Sequence, residues 1–137
     1  MKKFLALLLL LSITSAAHAQ SANGNITFRG TLYKTNDTCR GTGPGSIPVD
    51  QRLSWANYAY HVLRDRWAGV TVDGLPTGNG VHLQGTFPFN NGVRLTLGYT
   101  FTRLNERRKT ANLRQIFVFE GPGGTCGYTY NGAIRGR

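Results

Sequence analysis

Asp50-Gln51-Arg52-Leu53-Ser54-Trp55-Ala56-Asn57-Tyr58-Ala59-Tyr60-His61-Val62-Leu63-Arg64-Asp65-Arg66-Trp67-Ala68 is the stretch on which the fold class turns. At helical steps of about 100° per residue, Leu53, Trp55, Ala56, Ala59, Tyr60, Val62, Leu63 and Trp67 fall on one half of a helix. Ser54, Asn57, His61, Arg64 and Asp65 fall on the other, and only Arg66 interrupts the apolar side. Asp50 suits an N-cap and Gly69 a stop. A strand reading through Ala56, Tyr58, Tyr60 and Val62 also exists, but it buries Asn57, His61 and Asp65 beside Trp55 and Trp67. The pattern therefore predicts one amphipathic helix here.

On either side of it the period is two. Ile26, Phe28, Gly30 and Leu32 alternate with Thr27, Arg29, Thr31 and Tyr33, the mark of a half-buried strand. A Gly-, Thr- and Pro-rich loop follows, over residues 34–49. Beyond the expected helix lie a short strand at 70–72, a turn-rich run at 73–80 and a strand at 81–89. Asn90-Asn91-Gly92 then separates alternating apolar runs, a strong hairpin signal. Val93, Leu95, Leu97, Tyr99 and Phe101 face inward on its second arm, and strands at 112–120 and 125–134 complete the chain. The expectation is an α+β fold, mostly β: a single domain of about six antiparallel strands, barrel-like or strongly curved, with the helix after the first strand.

The chain begins Met1-Lys2-Lys3 and runs apolar from Phe4 to Ile13, with Ala17-His18-Ala19 as a small-x-small cleavage site. This predicts a signal peptide at 1–19, a secreted or periplasmic product at 20–137 and, from the style of the leader, a bacterial source. Nothing after residue 19 approaches the roughly 18 consecutive apolar residues of a membrane helix. The cysteines Cys39 and Cys126 are far apart in sequence and lack neighbouring metal ligands. An oxidising compartment makes them a disulfide, contributing about 4 kcal/mol by loop closure and drawing the first and last strands together as antiparallel neighbours.

Of 16 cationic side chains, Lys2 and Lys3 belong to the leader, which leaves 14 against six acids, or +8. Twelve of these are arginines, whose planar fork grips carboxylate, sulfate or phosphate with paired hydrogen bonds. The composition points to an anionic partner: a polysaccharide, lipopolysaccharide, nucleic acid, peptidoglycan carboxylates or an acidic protein. The cationic loop at 103–109 concentrates the charge. Arg103, Arg107, Arg108 and Lys109, with Arg94 and Arg114 on the adjoining strands, form the candidate anion site.

Catalytic groups are sparse. Ser54, His61 and Asp65 share the polar face of the expected helix, but Ser54 and His61 would stand about 10.5 Å apart along it, too far for a nucleophile and its base. A small secreted hydrolase, such as a ribonuclease using a histidine with Glu120 and Arg114, is one alternative. No spacing of His, Cys, Asp or Glu suggests a metal and no glycine loop has phosphate-binding form, so no cofactor is expected.

Gly24-Asn25-Ile26-Thr27-Phe28-Arg29-Gly30-Thr31-Leu32, leading to Cys39, resembles the opening strand of chaperone-usher fimbrial subunits. That resemblance covers about 15 residues and implies an incomplete immunoglobulin-like sandwich finished by a neighbour's strand, hence a pilus-like structural role. Those subunits place their second cysteine nearer the first and end on a strand with a near-terminal tyrosine, whereas this chain ends Ala133-Ile134-Arg135-Gly136-Arg137. The leading expectation is a secreted, non-enzymatic protein that binds an anionic partner through arginines.

Overall fold

In the computed structural model, which describes residues 21–137, the expected helix is absent and the described residues are all β. The expected signal peptide lies outside the described residues. The correction centres on Asn57 and Tyr58, which both adopt left-handed backbone angles (φ 49° and 61°). Two consecutive positive φ angles make the tight hairpin turn that matches strand twist. They join β2 (Ser46–Ala56) to β3 (Ala59–Val62), pairing Trp55 with Tyr60 and Leu53 with Val62. Ile47, Val49, Gln51, Leu53 and Trp55 point inward at odd positions, and Tyr60 and Val62 at even ones. Two alternating runs of opposite parity imitate one helical face.

The objections to a strand dissolve locally. Asn57 is exposed in the turn, and His61 sits on the outward face. Asp65 is indeed buried, but it caps the loop after β3: its Oδ1 accepts from the backbone N–H of Trp67 and Ala68 at 2.8 and 3.0 Å, and its Oδ2 from Val70 at 3.2 Å. A buried carboxylate holding three backbone donors is compensated rather than stranded.

The other strands are β1 (Gly24–Asp37), β4 (Val72–Thr77), β5 (Gly80–Asn90), β6 (Val93–Asn105), β7 (Thr110–Gly121) and β8 (Gly124–Gly136). All eight pair in sequence order, and β1 meets β8 antiparallel to close a barrel. The two strands beyond the expected six are β2, which takes the end of the expected loop at 34–49 and the start of the expected helix, and β3; the short strand expected at 70–72 is replaced by β4, most of which lies in the turn-rich run at 73–80. The incomplete sandwich implied by the first strand is not formed either, since β1 pairs with β2 on one side and β8 on the other.

Inward positions of every strand carry the core. Phe28 and Phe101 stack at 5.6 Å, Trp55 and Tyr60 at 5.2 Å, and Phe117 meets Tyr130 edge-on at 5.8 Å. Eight strands enclose a space that side chains can fill, and here they fill it. Outward positions carry Arg29, Arg52, Arg114 and Arg135 among threonines and asparagines, the reverse of a barrel that faces lipid. No helix among the described residues is long and apolar enough to cross a membrane.

At one end of the barrel the loop at 38–45 is secured three ways. The Cys39–Cys126 disulfide ties it to β8, Lys34 Nζ reaches Asp37 Oδ2 at 2.6 Å and the Gly43 carbonyl at 3.0 Å, and Tyr130 Oη donates to the Pro44 carbonyl at 2.8 Å. The opposite end holds the turns at 57–58, 78–79 and 106–109 together with both ends of the described chain.

Candidate functional site: an arginine trough at the barrel seam

The seam between β1 and β8 brings two arginines face to face. Arg29 and Arg135 are direct cross-strand partners, both outward, and like charges so placed oppose pairing. Arg29 also faces Asp50, its direct partner on β2, at 3.7 Å, and since all three side chains are exposed, water screens this attraction and the repulsion from Arg135 alike. Gly30 and Ala133 leave the surface beside them low. A groove of about 500 Å³ results, lined by Arg29, Arg103 and Arg135 and by residues at the start of β7 such as Thr110 and Asn112.

Arg103 comes to this groove through a bulge. The β6–β7 register shifts between Thr102 and Asn105, and Arg103 takes a left-handed angle (φ 49°) while its N–H donates to the Asn79 carbonyl at 3.1 Å. Bulges re-aim side chains, and a left-handed non-glycine residue costs energy that the surroundings must supply. A second groove of about 560 Å³ continues from the first, sharing Asn112 and Ala133 and reaching Thr100, Arg114 and Asn131. Arg114 Nε donates to Asn131 Oδ1 at 3.3 Å, which braces the guanidinium along the sheet. Tyr33, opposite Asn131 on β1 and 62 % exposed, stands beside that far end.

The six cations expected from sequence therefore divide. Arg103 and Arg114 line the trough. Lys109 lies next to it, its Nζ donating to the Arg137 carbonyl at 2.6 Å. Arg107 and Arg108 are exposed in the neighbouring turn, where the Arg108 N–H is held by Asn105 Oδ1 at 2.9 Å. Arg94 is not part of the cluster: it pairs across from Glu120 at the other end of the barrel, nine positions and about 30 Å along β6 from Arg103. Arg29 and Arg135 were missed. Arg29's outward phase was visible in the first strand, and the cysteines already argued for joining that strand to the last, so the two readings together would have found the pair.

The serine and histidine set aside on helical spacing also change company. Ser54 and His61 are direct partners across β2 and β3, and His61 Nδ1 donates to Asp73 Oδ1 on β4 at 2.6 Å. Asp73, not Asp65, completes that row. It lies on the open outer surface, with Asp73 70 % exposed. His82 is apart from Glu120, its Nδ1 bonded to Thr100 Oγ1 at 2.8 Å. No group of three or more metal-ligating side chains occurs among the described residues. Comparison with protein-family models, curated proteins and solved structures finds no match to this chain.

Proposed function

We propose that this is an exported binding protein that captures an anionic polymer along the trough at its barrel seam. The observation that carries the reading is the direct opposition of Arg29 and Arg135, with Arg103 turned toward them by a strained bulge. Cations gathered in one groove set up a positive potential there, and an anion lying between them relieves their mutual repulsion. The Cys39–Cys126 disulfide suits an oxidising compartment, in keeping with export by the amino-terminal leader.

Retention on immobilised heparin or lipopolysaccharide tests this. Binding falls steeply with salt, and the double variant Arg29→Ala/Arg135→Ala weakens it by about tenfold or more, with a shallower salt dependence. Arg94→Ala, remote from the trough, changes it by less than about twofold. Equal loss from all these variants, or no loss from the seam pair, overturns the proposal.

A second reading, hydrolysis, rests on the row Ser54, His61 and Asp73. Turnover of a chromogenic acetyl ester that vanishes in both Ser54→Ala and His61→Ala supports it. Rates equal to those of the unaltered protein exclude it.

A further inference from the structure

Building on that proposed function, we infer that the polymer is an acidic polysaccharide whose charged sugars are separated by uncharged ones. The outward residues of the trough fall into three cross-strand rows. The first holds Arg29 and Arg135, flanked by Asp50 on β2 and Thr110 on β7, the second Thr102, Asn112 and Ala133, and the third Thr100, Arg114 and Asn131 with Tyr33 at its edge. Successive rows are two residues apart, so the two cationic rows are separated by four residues, about 13 Å along β8.

Between them lies a row with a hydroxyl, a carboxamide and a methyl, and no charge. A nucleic acid carries a phosphate on every unit and would set one over that neutral row. It also needs a ring for each stacked base, and the trough is flanked by Tyr33 alone of the exposed aromatics at this seam. Sugar hydroxyls both donate and accept, as Thr102 and Asn112 do, while the guanidinium forks fit carboxylate or sulfate edge-on. Charge, neutral polar groups, charge is the order of the rows and of such a glycan.

The test compares hyaluronate octasaccharide, oligogalacturonate of equal charge and an oligothymidylate of equal charge, by titration calorimetry at fixed salt, on the oxidised protein. Hyaluronate binds most tightly, and Asn112→Ala weakens it by about fivefold, the loss of one hydrogen bond, and weakens it more than it weakens the oligothymidylate. Thr102→Val acts in the same direction, and thermal melts confirm that both variants fold. If the oligogalacturonate or the oligothymidylate binds as well as hyaluronate, or neither Asn112→Ala nor Thr102→Val lowers the hyaluronate affinity, the inference of an alternating glycan fails while anion capture stands. If no anion binds, the proposed function fails with it.

Discussion

Single side chains decide both the stability and the site. Tyr99, Tyr60 and Tyr130 are buried, and burial holds each phenol above its ordinary value; the charge of Asp65 adds to the effect at Tyr99. These phenols stay neutral in the barrel while their unfolded counterparts ionise from about pH 10, so the stability they confer is complete below that pH and lost as pH rises through the raised values. The urea midpoint at pH 11 is therefore lower than at pH 9, and tyrosinate absorbance grows in step with unfolding. Asp37 works in the opposite window: its hydrogen bond from Lys34 lowers its carboxyl, so that contribution is present above about pH 4 and fades in acid. Removing a core ring has a larger effect. Phe28→Ala, at a position with no exposed surface, costs about 3–5 kcal/mol in denaturant unfolding. Of the site, Arg103 and Arg114 were legible as cations on a loop and a strand. Their union with Arg29 and Arg135 was not, because it depends on which strands are neighbours.

At the scale of elements, the β5–β6 hairpin was readable because its turn carries Asn91-Gly92, residues that take positive φ without penalty. The β2–β3 hairpin was not, because Asn57-Tyr58 uses a tyrosine where glycine is usual. With that punctuation hidden, the switch from odd to even inward positions reads as a helical period, and Trp55, Tyr60 and Val62 fit either structure. Tyr58→Gly relieves a left-handed angle at an exposed residue and raises stability by about 1 kcal/mol, seen as a higher midpoint for thermal unfolding. The reverse holds at the seam. A Cβ on Gly132 would stand 2.5 Å from the Thr31 carbonyl oxygen, so Gly132→Ala pushes β8 from β1 and costs about 1–3 kcal/mol. Such a variant also weakens anion binding, since Arg29 and Arg135 lose their common register.

For the whole molecule, the disulfide is the one covalent tie across the seam, joining residues 87 apart. Its loss in Cys39→Ala/Cys126→Ala lowers unfolding free energy by about 4–5 kcal/mol on the loop-closure estimate, measurable as a displaced denaturant midpoint. Seven of the eight strand pairings join neighbours in sequence, and each can close a short loop by itself. The eighth, β1 with β8, must bring Phe28 to Gly136 across nearly the whole described chain. That seam sets the pace of assembly: an oxidised chain enters folding with its two outermost strands already tethered and closes quickly, whereas a reduced chain must search for the last pairing while β1 and β8 stand as open edges that another molecule can occupy.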